Sequence, residues 1–199
     1  MLRKQIWPAI SVTLVLMIIT GLVYPAAVTG IAQAIFPRQA NGSLITADGR
    51  VVGSSLIGQA FAGREYFHPR PSAAGAGYDD TLSGGTNLGP TDRKLADGLV
   101  AAMVDSVVAT DGGVRGHIPS DMATASASGL DPHISPANAL LQVGRVASAR
   151  GMPPDTVRPL VMRYTEGRQL GFLGDSRVNV LRLNLALDSV FGRTDAKAR

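Results

Sequence analysis

From Gln5 to Pro37 the chain carries no charged residue, and this stretch constrains the fold more than any other. Within it, "AISVTLVLMIITGLVYPAAVTGIAQAIF" is apolar nearly throughout, with Trp7 and Phe36 bracketing the run. About 30 residues of helix at ~1.5 Å each reach roughly 45 Å, enough to cross a bilayer with its headgroup regions. Arg3 and Lys4 precede the run directly, so the positive-inside tendency places the N-terminus in the cytoplasm and everything after Arg38 on the opposite face. Ala26, Gly30 and Ala34 recur at four-residue spacing, a small-residue stripe on which another membrane helix can pack closely. A cleaved signal peptide is the competing reading, with Ala32-Gln33-Ala34 as its cleavage site. The apolar run is about twice the length of a usual signal core, which favours a retained anchor.

The division expected is therefore a cytoplasmic N-terminus with a transmembrane helix over residues 1–36, a single extracytoplasmic domain over 37–192, and a charged, disordered tail over 193–199. The fold class expected is α+β, with helices and a small β-sheet following one transmembrane helix. Composition agrees with a folded domain, at 45% hydrophobic and 17% charged residues. The net charge is +4, and Arg3 and Lys4 supply half of it. No Lys/Arg stripe with interleaved aromatics occurs, which argues against nucleic-acid binding. With no cysteine in the chain, disulfides, thiolate catalysis and cysteine-ligated zinc are excluded.

In the remainder, "SLITADGRVVGSSLIGQ" (43–59) reads as two strands about an Asp48-Gly49 turn. Residues 60–90 show neither helical nor strand periodicity, and an irregular passage of that length is usually functional. Thr91 is the expected cap of a helix with Leu95, Leu99, Ala102 and Met103 on one face, ended by Gly112-Gly113. Ser135-Pro136 is a strong helix start, with Leu140, Leu141, Gly144 and Ala147 as the expected packed face and Arg150-Gly151 as the stop. Pro154 opens a helix carrying Val157, Leu160, Val161 and Tyr164. In "RVNVLRLNLALDSVF" the leucines alternate as in a strand, yet Asn179 can cap a helix, and helix is the preferred assignment.

The richest polar cluster lies in "GLDPHISPANALLQ" (129–142), where Asp131, His133, Asn138 and Gln142 fall within a dozen residues. Asn138, Gln142 and Arg145 share one helical stripe, able to serve as a partner-docking surface or simply as a solvated face. Asp131-Pro132-His133 offers two metal ligands but reads better as a rigid turn. None of the three histidines, His68, His117 and His133, has the His-x-x-x-His spacing of a helical metal site. "SGGTNLGPTD" leads into a helix whose amides can hold an anion, but it lacks the Gly-x-x-x-x-Gly-Lys-Ser/Thr pattern. No Gly-x-Ser-x-Gly elbow is present. The residues alone thus assign no catalytic group and no metal.

Taken in order, "GLVYPAAVTGIAQAIFP", "VGSSLIGQAF", "YFHPRPSAAG", "SGGTNLGPTD", "ATASASGLDPHISPANALLQVGRVASARG" and "GRQLGFLGDSRVNVLRLNLALD" resemble the C subunit of the Kdp potassium-transporting ATPase of bacteria and archaea. "GYDDTLSGG" departs slightly, with Asp79-Asp80 where asparagine is common. The resemblance implies an accessory, non-catalytic subunit of an inner-membrane complex. Its implied partners are a potassium-channel-like subunit, a P-type ATPase subunit and a small hydrophobic peptide. It also implies a role in raising the ATP affinity of the catalytic subunit, with Gln142 of "LLQVG" at the nucleotide. The topology argument opposes this, because it puts Gln142 outside, away from cytoplasmic ATP. The expectation preferred here is an external domain over the potassium entrance, stabilising or gating it. A membrane-anchored extracytoplasmic enzyme remains the alternative from another class.

Overall fold

The computed structural model describes residues 2–79 and 81–193, so Asp80 and most of the expected tail, 194–199, lie outside the described residues. By internal contact the chain forms two compact units, Met1–Ser54 and Ser55–Arg199.

The first unit opens with α1 (Leu2–Ile18), a π-helical turn (Ile19–Val23) and α2 (Tyr24–Ile35), which run on as one helix. The interruption has a local cause. Pro25 has no amide to give the Gly21 carbonyl and its ring would press on it, and a widened turn just before a proline relieves that contact. From Arg3 to Ile35 this helix is long and apolar enough to cross a membrane, with a mean hydropathy of 2.3 over its most apolar window and none of that window buried. Ala26, Gly30 and Ala34 are exposed on it. A Cβ added at Gly30 would meet nothing within 4 Å, so the small-residue stripe is open along α2.

After the short α3 (Pro37–Ala40) comes the expected hairpin. β1 (Leu44–Ala47) pairs antiparallel with β2 (Arg50–Ser54), with a bulge between Ile45 and Thr46. Asp48 (φ 51) and Gly49 (φ 73) both take positive φ, the paired left-handed geometry of a two-residue hairpin turn.

In the second unit, the described residues of 55–92 contribute no helix or strand beyond an isolated bridge from Ser72 to Ser126. A π-helical segment (Lys94–Val100) then leads into α4 (Ala101–Asp111), which ends on Gly112 at φ 73. The side chain accepting the Lys94 amide is that of Asp92, at 2.8 Å. The cap is therefore one residue later than the expected Thr91. Next follow α5 (Ser120–Ala123), β3 (His133–Ile134), α6 (Pro136–Ala149), α7 (Pro154–Arg163), β4 (Thr165–Glu166), β5 (Arg177–Asn179) and α8 (Val180–Phe191). The sheet order is β3-β5-β4, with both pairings antiparallel.

The core lies where α6, α7, α8 and β5 meet, around Val143, Val146, Val157, Val161, Val178, Leu183 and Leu187. Each fully buried aliphatic side chain of this kind contributes about 1.5–3 kcal/mol. Phe67, from the irregular passage, is wholly buried among them. The expected packed face of α6 holds at Ala147, which is buried in the core, and at Leu140, which packs against it, but not at Leu141 or Gly144. Leu140 and Leu141 are only half-buried and Gly144 is exposed, whereas Ala139, Val143, Val146 and Ala147 face the core. The final element is a helix as preferred, preceded by the three residues of β5.

Candidate functional site: a polar clasp on an irregular segment

Ser135 stands at the N-terminus of α6 with its hydroxyl accepting the Asn138 amide at 3.1 Å, and Pro136 follows where no amide is required. The Asp121 carboxylate adds to this cap. It accepts from the Ser135 amide (2.7 Å), the Ser135 hydroxyl (2.9 Å) and Asn138 Nδ2 (2.9 Å). A carboxylate at a helix N-terminus is favoured by the backbone dipoles there as well.

The stripe Asn138, Gln142, Arg145 points inward, contrary to the expected docking or solvated face. Asn138 and Gln142 are 1% exposed and Arg145 is 5% exposed. Gln142 Oε1 accepts from the His68 amide (2.7 Å) and from Arg145 Nη2 (2.6 Å), while Nε2 donates to the His68 carbonyl (3.0 Å) and to Asn138 Oδ1 (2.6 Å). A side-chain amide has two donor hydrogens and two acceptor lone pairs, so Gln142 is saturated within its own chain. From the other side, Asn184 on α8 accepts the Phe67 amide and donates to the Phe67 carbonyl, both at 2.9 Å. Two buried amides on two helices thus clasp consecutive residues of the irregular segment, each by a two-point backbone contact.

Arg145 extends the clasp. Its Nη1 donates to the Arg64 and Tyr66 carbonyls (2.7 and 2.9 Å), and its Nε pairs with Asp111 on α4 at 2.7 Å. Arg150 donates from Nε to the Glu65 carbonyl (2.8 Å), pairs with Asp188 on α8 (2.8 Å), and lies over the Tyr66 ring. These contacts explain how residues 64–68 are ordered without ladder hydrogen bonds: side chains supply the partners that buried backbone requires, while further along Ser126 exchanges backbone hydrogen bonds with Pro71 and Ala73.

Asp131 braces the far end of the same segment. Its carboxylate accepts the His133 amide (3.0 Å) across Pro132 and pairs with Arg70 at 3.1 Å, and its carbonyl receives the Tyr78 hydroxyl at 3.1 Å. Burial pushes the Tyr78 phenol well above its usual range, with the Asp131 charge adding to the effect. Asp131 and His133 therefore meet side chain to backbone, as in a turn. His133 is half-buried in β3, and burial, reinforced by Arg177, lowers its pKa. His68 is lowered in the same way, by burial and then Arg145, although its Nε2 lies 2.9 Å from the Gly63 carbonyl. Among the described residues no group of three or more His, Asp or Glu is placed to hold a metal. A cavity of about 300 Å³ opens beside Asn138 and Gln142, with His68, Val107, Asp111 and Met122 also in its wall.

The sequence reading missed Asn184, Asp121 and Asp111. Asn184 had a signal: it sits among Leu181, Leu183 and Leu187 on the buried face of α8, and a polar residue at such a position requires a partner. Asp121 and Asp111 reach α6 from distant segments, and nothing local points to them.

What the fold and site define is a chain with one membrane-length helix among the described residues and an α+β unit whose densest polar cluster is occupied in holding its own irregular segment. Residues 6–189 match the family described as KdpC, the c chain of K+-transporting ATPase, and the chain belongs to that family. A potassium-transporting ATPase KdpC subunit from Gemmatimonas aurantiaca is 62% identical over 190 residues, covering 95% of this chain and 94% of the relative. Those of Rhodospirillum rubrum and Mycobacterium bovis are 54% and 51% identical, covering 94% of this chain and 97% and 99% of their own lengths. As a family member the chain is a subunit of a potassium-transporting ATPase.

Proposed function

We propose that the chain acts as an accessory, non-catalytic subunit of an ATP-driven potassium import complex. In this reading its domain lies outside the cytoplasmic membrane, over the potassium entrance of a channel-like subunit, and stabilises or gates that entrance. The other partners are a P-type ATPase subunit and a small hydrophobic peptide, and α2 packs on the complex through Ala26, Gly30 and Ala34. The observation that carries a role without direct nucleotide contact is the saturation of Gln142. Its amide has no capacity left for a nucleotide, and freeing it would unpair the buried backbone of His68 and Arg145 Nη2. That weighs against the rival proposal, in which Gln142 raises ATP affinity by direct contact. The asymmetry of Arg3 and Lys4 at one end of the apolar helix supports an external domain.

The sidedness has a direct test. Position 142 is buried and unsuited to labelling, but Ser148 on the same helix is exposed and the chain has no cysteine of its own. With Ser148→Cys, a membrane-impermeant thiol reagent should label the protein in intact spheroplasts. Labelling only after lysis would overturn the external placement.

A further inference from the structure

Between β4 and β5 the chain runs out as a finger. Glu166 pairs with Arg177 in the ladder, Arg168 meets Asp175 at 3.1 Å, and Gln169 and Leu173 exchange backbone hydrogen bonds in both directions at 2.9 Å. At and beyond that bridge the tip is apolar: Leu170 is 83% exposed, Phe172 69% and the bridge residue Leu173 47%. Turns are normally made of glycine and small polar residues. Here Leu170 is held at φ 53, a left-handed conformation that a side chain with a Cβ disfavours. The fold therefore maintains an unfavourable turn in order to present three large apolar groups to the outside.

We infer that this finger is a docking anchor, inserting Phe172 and Leu170 into an apolar pocket with an acidic rim on another protein subunit of the transport complex. This rests on the subunit reading given above. Size argues against a second copy of the chain as occupant. The tip offers on the order of a few hundred Å², while a free-standing association needs about 800 Å² per partner. A small contact suffices when a membrane helix already holds the chain beside its partner, since the second contact then forms at high effective concentration. Charge indicates the rim: behind the tip, Arg177 and Arg182 both pair with the Glu166 carboxylate and Arg163 lines the same pocket, leaving a positive collar that complements carboxylates. A lipid surface fits less well. It accepts apolar side chains in any arrangement and gains nothing from a fixed, strained turn. The basic residue nearest the tip, Arg168, is also neutralised by Asp175 rather than offered to headgroups.

The test uses the full chain expressed together with the other subunits of its complex and purified in mild detergent. A benzophenone amino acid replaces Phe172 in one preparation and, as control, the exposed Met162 of α7 in another. Irradiation should give an adduct with another subunit of the copurifying complex from position 172 and none from position 162, and Leu170→Ser should abolish it. Phe172→Ser should melt with the parent, since Phe172 is 69% exposed and an exposed side chain away from the core adds little to stability. An adduct with lipid alone, one with a second copy of the chain, or none at all while the complex copurifies would each overturn the docking anchor and leave the subunit reading standing. Failure to copurify with any membrane complex would remove both.

Discussion

Gln142 occupies a helical position where polarity alone says surface, yet its amide is surrounded by the backbone of His68 and the side chains of Asn138 and Arg145. Replacing it with a residue of similar size and no polar atoms leaves several buried groups unpaired, at about 1–3 kcal/mol each. Gln142→Leu should therefore destabilise the protein by about 3–5 kcal/mol, seen as a clear fall in melting temperature of the full chain in detergent. Unchanged melting would show that the clasp does not hold the segment. The two lowered histidines give the protein a pH dependence of definite sign. His68 and His133 stay neutral in the fold more readily than in the unfolded chain. Below the ordinary value of 6.5 the unfolded state binds more protons, so stability is full above that value and lost as pH falls through the lowered folded values. Around His68 the opposing groups are Arg145, which lowers, and Asp111 and Glu65, which raise. Around His133, Arg177 and Arg182 lower while Glu166 and Asp131 raise. Melting followed between about pH 5 and 8 should show this acid loss, and His68→Gln with His133→Gln should flatten it.

Helix starts were legible because a cap is a local arrangement of a few neighbouring residues. Ser135-Pro136 and Asn179 each stand where expected, with their side chains accepting the Asn138 and Arg182 amides. Ser135→Ala removes the cap and one of the donors to Asp121, and should cost about 1–2 kcal/mol, read from the same melts. The facing of α6 was not legible. Periodicity assumes that leucine goes in and amide goes out, but here the surroundings include bare backbone that only Asn, Gln and Arg can satisfy. The irregular segment also lies very close to the strand region. A Cβ on Gly58 would come 2.5 Å from the Asp131 carbonyl oxygen and 2.5 Å from the Tyr78 ring. Gly58→Ala should force these apart at about 1–3 kcal/mol, as overpacking does, and expose residues 58–79 to faster proteolysis than the rest of the second unit.

For the molecule as a whole, retention of the N-terminal helix decides between an anchor and a removed leader. The intact mass of protein extracted from membranes should include residues before Ala34; a chain beginning just after it would identify the helix as a leader. By itself, the sequence determined the membrane-length helix, the hairpin at Asp48-Gly49, the starts of α6, α7 and α8, and the family. These rest on composition, on turn and cap chemistry, and on long collinear motifs, all of which are local or additive along the chain. Only the tertiary structure decided where Asn138, Gln142 and Arg145 point, that Asn184 answers Gln142 from α8, and that residues 64–68 are held by side chains. For Asn138 the deciding partner, Asp121, is 17 positions away, and for Gln142 and Asn184 the partners are 74 and 117 positions away; a polar side chain finds such partners only once the helices have packed. A buried amide and an exposed one read the same in sequence, and what distinguishes them is the unpaired backbone that the fold brings within reach.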